Sequence, residues 1–314
     1  MTGGKTLGRV FGCVWRLLAL WAGLLLVHPA AAQESDWQLK PTARVELGVV
    51  SAETATRDDQ LIVNGDAFTV RAQAGLNFED HDTRFRLEVD RIEVLRFEED
   101  RDNTNRTRFT AQFDQELNED WDIQLRARHF DDVVTAESAD TDEFQGSVRV
   151  SYEPERKHRF RLRASWRERE YDNRDEDGVA DPTTGSGPRV DAGYRHRLGR
   201  YHYINFDLRA ESITSDDPQR GFARQSAKVS YTKPITPDLR VRPALEFLNT
   251  RFDGRFGDDG APRSDQLIVP ELEVHYWPGP WRIEAEAKYI FSNSNLLSRE
   301  REGYRLTLTA GYVF

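Results

Sequence analysis

Arginines recur at every second position in several stretches of this 314-residue chain: Arg106 and Arg108, Arg126 and Arg128, Arg159, Arg161 and Arg163, Arg240 and Arg242. Nearer the C-terminus acids do the same, in Glu271 and Glu273 and in Glu284 and Glu286. A spacing of two places side chains on one face of an extended chain, so each run is a short track of like charge. Guanidinium forks grip carboxylates and phosphates bidentately, and tracks of fixed charge select ions by sign at close range. This chemistry is non-covalent recognition of anions. After position 32 the chain has 36 Arg and 5 Lys. The tracks between 105 and 198 are mostly basic and those between 265 and 292 mostly acidic, which predicts a field across a polar interior. The alternative is that these charges pair with one another and fill the interior, and both readings stay open.

The elements that would carry these tracks are strands. The positions between the arginines are apolar: Phe160, Leu162, Ala164 and Trp166; Ile204, Phe206, Leu208 and Ala210; Trp281, Ile283, Ala285, Ala287, Tyr289 and Phe291. Fourteen alternating segments lie near 38–52, 66–80, 83–97, 105–118, 121–134, 143–155, 158–171, 188–198, 201–214, 220–233, 237–251, 265–277, 280–292 and 302–314. Short turns such as Gly199-Arg200 and Pro278-Gly279-Pro280 alternate with longer loops rich in Asp, Gly, Ser and Asn, such as Ser51–Asp66, Tyr171–Pro188 and Phe252–Ser264. That alternation is the pattern of turns and surface loops in a membrane barrel. The fold class expected is therefore all-β: a transmembrane antiparallel up-and-down β-barrel of about 14 strands, with 12 or 16 as alternatives. A phase slip after Val89 predicts a bulge near Asp90-Arg91. Pro243 and Pro270, on the apolar face, each predict a bulge or a strand end. Trp121, Trp166, Tyr231, Tyr276, Trp277 and Trp281 are expected to form interfacial girdles.

The ends set the compartment. Residues 1–32 read as a secretory signal peptide: Lys5, Arg9 and Arg16, an apolar run Leu17–Val27, and an Ala30-x-Ala32 cleavage motif before Gln33. Residues 33–37 are a short N-terminal segment and 38–314 the barrel. The single cysteine, Cys13, lies inside the signal, so disulfides and thiolate metal sites are excluded from the remainder. Without residues 1–32 the chain carries 41 basic and 54 acidic residues, a net charge of −13 that argues against a nucleic-acid partner. The last segment alternates from Tyr304 to Tyr312 and Phe314. It resembles the C-terminal strand of bacterial outer-membrane β-barrels, in which a terminal aromatic belongs to the insertion signal. The resemblance implies an outer-membrane location, both termini periplasmic, contact with lipid and lipopolysaccharide, and Tyr312 and Phe314 as the signal for the barrel-assembly machinery.

Further candidates are weaker. Asn173, Asp175, Asp177, Gly178 and Asp181 follow a spacing that lets alternate oxygens converge on one hard cation. The loop is similar to the calcium loops of EF-hands and thrombospondin-type repeats, but Thr184 stands where an EF-hand places a bidentate glutamate. Calcium is thus the one cofactor the chain suggests. His129, Asp131 and Asp132 resemble the Asp/His pairs of outer-membrane proteases, yet His129 falls on the apolar phase; G-x-S-x-G and H-E-x-x-H motifs are lacking, and no enzyme activity is expected. The arginine tracks resemble those of porins for acidic oligosaccharides. That implies a passive or gated channel for small anionic solutes or acidic oligosaccharides. The alternatives are a structural barrel plugged by charge, or a secretion barrel exporting a surface lipoprotein or polysaccharide: the ending Ser292-Asn-Ser-Asn295 plus a final strand resembles the C-terminal barrel of surface lipoprotein assembly modifiers, whose helical repeat domain this chain lacks.

Overall fold

The computed structural model describes residues 37–56, 61–97, 103–131, 141–171 and 183–314. Its strands are β1 (Gln38–Thr56), β2 (Leu61–Asn64), β3 (Ala67–Glu79), β4 (Thr83–Arg96), β5 (Thr104–Glu116), β6 (Trp121–Asp131), β7 (Thr141–Glu155), β8 (His158–Tyr171), β9 (Thr183–Gly199), β10 (His202–Ser215), β11 (Phe222–Pro234), β12 (Leu239–Phe256), β13 (Pro262–Tyr276), β14 (Trp281–Ser294) and β15 (Arg301–Val313). Each of β3 to β15 pairs antiparallel with its sequence neighbour, β1 pairs with β3, and β15 closes onto β1 from Arg44↔Val313 to Thr56↔Arg301. The short β2 only folds back on the end of β1, so the ring is a closed barrel of fourteen strands, as the alternation predicts. Closure leaves no unpaired edge, which a sheet in hydrocarbon requires.

The molecule is inside out relative to a water-soluble protein. Leu47 (48%), Leu162 (56%), Leu208 (59%) and Leu308 (51%) stand exposed on the outer face, while the buried set is dominated by polar residues such as Glu46, Asp90, Gln124, Gln145, Ser151 and Thr250. An apolar exterior around a polar interior is what a bilayer selects. The fourteen barrel strands, 11 to 19 residues long, meet or exceed the roughly 9–11 a tilted spanning strand needs.

Three expectations need correction. β4 runs without a register shift against β3 and β5, so there is no bulge at Asp90-Arg91. Arg91 and Glu93 instead keep the outward phase and pair with each other at 3.0 Å, while Ile92 and Val94 face inward. Pro243 and Pro270 do not shift register either. Ladder pairs are missing beside them, between Ser230↔Ala244 and Lys233↔Val241 and between Ile268↔Phe291 and Glu271↔Lys288, yet the register is the same on both sides. Removing one donor opens the ladder locally without forcing an extra residue. Finally, the strands outrun their apolar bands at the loop end: β12 and β13 continue to Phe256↔Pro262 and β9 begins at Thr183, so much of two expected loops is ladder.

Candidate functional site: a charged barrel lumen

Register decides which tracks meet. Across β6 to β9 the inward residues form rows: Gln124–Arg149–Arg163–Asp191, then Arg126–Ser147–Ser165–Arg189, then Arg128–Gln145–Arg167–Gly187. The arginines named from spacing stand on the strand face opposite the exposed apolar residues, and their surroundings differ sharply. Arg108 binds Glu88 (3.1 Å) and Asp90 (2.6 Å). Arg159 binds Asp122 at 3.0 Å, and Arg161 reaches Asp207 at 3.4 Å. Among the described residues, Arg106, Arg126, Arg128 and Arg163 have no carboxylate within ion-pair distance; Arg163 has only the Gln124 amide oxygen at 3.3 Å. The Nε atoms of Arg126, Arg128 and Arg163 are buried and lack a hydrogen-bond partner.

The acidic tracks on β13 and β14 are held quite differently. Glu271 binds Lys228 (2.9 Å) and Lys288 (3.5 Å); Glu273 binds Arg242 and His275; Glu284 accepts from the Trp277 indole at 3.1 Å; and Glu286 binds Lys288 at 2.9 Å. Glu271, Glu273 and Glu286 converge closely enough to suggest a metal centre. The lysines, Arg242 and His275 already occupy those oxygens, so the group is an ion-pair lattice. The transverse field expected from the sequence is thus one-sided: the acids are compensated and part of the arginine wall is not. Uncompensated guanidiniums in a partly desolvated wall attract anions strongly, because burial raises the energy of an unpaired charge.

Arg240 is also reassigned. Its guanidinium lies 3.8 Å from the Tyr201 ring centre and 4.7 Å from that of Trp277, sandwiched at the turn-end mouth. Tyr201 takes a left-handed φ of 58° in the two-residue turn between β9 and β10, which presents its ring to Arg240. The guanidinium of Arg200, 5.2 Å from the Tyr201 ring centre, holds the hydroxyl below the usual phenol range. Trp277, expected in the outer girdle, instead turns inward to Arg240 and Glu284. Trp121, Trp166, Tyr276 and Trp281 do stand exposed on the outer face, and Tyr231 accepts or donates a bond with His202 at 2.8 Å there. Tyr312 packs edge-on against Trp281 and 4.7 Å from Phe314, whose backbone nitrogen donates to the Ala43 carbonyl at 2.9 Å.

The lumen is unevenly filled. At the loop end of β7 to β11, Arg167 (3% exposed) binds Glu211 at 3.3 Å, Arg169 binds Glu143 at 2.7 Å and Arg224 binds Glu211 at 3.4 Å. Tyr171, Ile213 and Phe222 are buried beside them. Nearer the turn end, a cavity of ≈ 270 Å³ opens, lined by Arg149, Arg163, Arg189, Asp207 and Arg209 among others. His129 faces outward with its ring 6.4 Å from that of Phe109, away from any lumen acid. Asp132, the loop with Asn173, Asp175, Asp177 and Asp181, and residues 1–36 with the cleavage site Ala32/Gln33 lie outside the described residues.

No protein-family model matches the sequence, and no curated protein does. Solved structures do. Outer-membrane-expressed OmpT of Vibrio cholerae superposes at a TM-score of 0.52 with 9% identity, covering 90% of this chain and 99% of that one. The TodX monoaromatic hydrocarbon channel, as a deltaS2 mutant, superposes at 0.51 with 9% identity, covering 87% and 90%. At such identity the similarity is one of fold: this chain is a bacterial outer-membrane β-barrel in architecture.

Proposed function

We propose that this barrel is an outer-membrane channel that passes small anionic solutes by diffusion along its arginine wall. The observation carrying this reading is the contrast between Arg126, Arg128 and Arg163, which lack carboxylate partners among the described residues, and Glu271, Glu273, Glu284 and Glu286, which have partners. Net positive potential at the wall raises the local concentration of anions and repels cations. In this reading both termini lie in the periplasm, the outer face meets lipid and lipopolysaccharide, and the barrel-assembly machinery reads Tyr312 and Phe314. The fold similarity to TodX, a channel by its description, is in keeping with such a role. The purified barrel reconstituted in a planar bilayer tests it: discrete steps with an anion-selective reversal potential are expected, and cation selectivity would contradict it.

The packing of Arg167, Glu143, Glu211 and Arg169 at the loop end favours a second reading, a barrel occluded by its own charges. Correctly folded protein that stays silent in the same bilayer would select it.

A further inference from the structure

Ser147 and Ser165 face each other across β7 and β8 in the middle of the arginine wall. Their short side chains form a floor. Six guanidiniums surround it in register: Arg126 and Arg189 in the same row, Arg149 and Arg163 in the row toward the turns, Arg128 and Arg167 in the row toward the loops. From strand and residue spacings this bowl measures about 14 Å by 13 Å, the scale of one small molecule. Two further facts show that this place is short of hydrogen-bond partners. The Ser165 hydroxyl is buried, in a residue only 8% exposed, and has no hydrogen-bond partner; the same holds for Nε and an Nη of Arg167, 3% exposed. Buried polar atoms are ordinarily satisfied, so such a cluster of orphans in one place needs an explanation. Of the six, Arg149, Arg167 and Arg189 are anchored by ion pairs to Asp122, Glu211 and Asp191. Arg126, Arg128 and Arg163 carry charge with no carboxylate partner among the described residues. Anchored arginines give the bowl shape, and the other three give it a formal surplus of positive charge.

We propose that this bowl is a saturable binding site for a compact oxyanion of charge −2 or −3, a polycarboxylate or a phosphate compound. The proposal rests on the anion-channel reading and sharpens it: the lumen holds a discrete site, with no unbroken track for a long acidic chain. A trivalent oxyanion matches three free guanidiniums, while the Ser147 hydroxyl donates to the Arg126 carbonyl at 3.4 Å. The cavity of ≈ 270 Å³ that shares Arg149, Arg163 and Arg189 with the bowl provides the approach.

Isothermal titration of the detergent-folded barrel tests the site without requiring conduction. Citrate and inorganic pyrophosphate are the probes, with an oligogalacturonate of about six residues as the extended polyanion. Single-site binding of citrate, pyrophosphate or both supports the site, and their relative affinities say whether carboxylate or phosphate is preferred. Each of Arg126→Gln, Arg128→Gln and Arg163→Gln is expected to weaken binding by roughly tenfold. Ser147→Leu, which fills the floor and removes no charge, is expected to abolish it, with circular dichroism confirming the barrel. Absence of binding by either small probe, binding of the oligogalacturonate alone, or affinities unmoved by all four substitutions would overturn the proposal. A barrel that binds neither probe yet conducts anions selectively fails this proposal and leaves the channel reading standing.

Discussion

Arg161 on β8 reaches Asp207 on β10 at 3.4 Å, across the whole width of β9, because the residue between them is Gly193. A Cβ built at Gly193 would lie 2.9 Å from the Asp207 oxygen and 3.3 Å from the Arg161 guanidinium. The glycine is required by the side chains that pass over it.

Gly193→Val should therefore separate this pair. The Asp207 side chain is 47% exposed, so the lost attraction is worth at most about 1 kcal/mol. The expected outcome is a barrel of near-native thermal stability with reduced single-channel conductance, since the new side chain and the displaced Arg161 crowd the cavity. A large fall in unfolding midpoint would show that the position matters for folding instead.

Glu211→Gln should behave in the opposite way. Glu211 and Arg167 have side chains only 4% and 3% exposed, and Arg224 also leans on the same carboxylate at 3.4 Å. Removing one partner of a buried pair leaves charge without compensation, typically costing 3–5 kcal/mol. Denaturant titration of the folded barrel in vesicles should register a loss of about 3 kcal/mol; a loss under 1 kcal/mol would mean that the loop-end cluster is open to water.

The outward pair Arg91–Glu93 invites a double-mutant cycle. Both side chains stand on the outer face, 52% and 45% exposed, 3.0 Å apart. In a lipid-facing position Glu93→Leu alone strands Arg91 and should destabilise by about 1–2 kcal/mol, whereas Arg91→Leu with Glu93→Leu should stabilise. Equal effects of single and double variants in vesicle unfolding titrations would place the pair in water.

Arg240→Gln should leave ion selectivity close to wild type. The guanidinium is held between Tyr201 and Trp277 at the mouth, and cation–π stacking of this kind is worth about 1–2 kcal/mol. The substitution should lower stability by that order while the reversal potential hardly moves.

The sequence and the structure agree where a single strand contains the information. The phase of Phe160, Leu162 and Trp166 names the lipid face of β8 without reference to its neighbours, and the short turn expected at Gly199-Arg200 falls one residue on, at Arg200-Tyr201. Agreement stops where the outcome depends on a second strand or where residue type stands in for phase. Whether Arg126 is paired depends on Gln112 and Ser147, its neighbours on β5 and β7, and register between strands is not written in either one. Arg108, on the neighbouring β5, is taken up by Asp90. Trp277 lies just past the end of β13 and keeps the inward phase of Glu271, Glu273 and His275, so its expected place in the girdle rests on residue type and not on the period of two. Arg91 and Glu93 look like a slipped phase because two charges occupy lipid-facing positions, yet as a neighbouring ion pair they keep the strand straight. One signal for the bowl was present: the inward run Arg159, Arg161, Arg163, Ser165, Arg167, Arg169 breaks its charge once, at the serine that becomes the floor.

The central claim is that Arg126, Arg128 and Arg163 carry positive charge with no carboxylate partner among the described residues, while Glu271, Glu273 and Glu286 are paired. Reversal potentials in a potassium chloride gradient test it most directly, with wild type beside Arg126→Gln/Arg128→Gln/Arg163→Gln and Glu271→Gln/Glu273→Gln. The account predicts an anion-selective wild type, loss of that selectivity in the arginine triple, and no gain of cation selectivity in the glutamate double. A cation-selective wild type, or an arginine triple indistinguishable from it, would contradict the account.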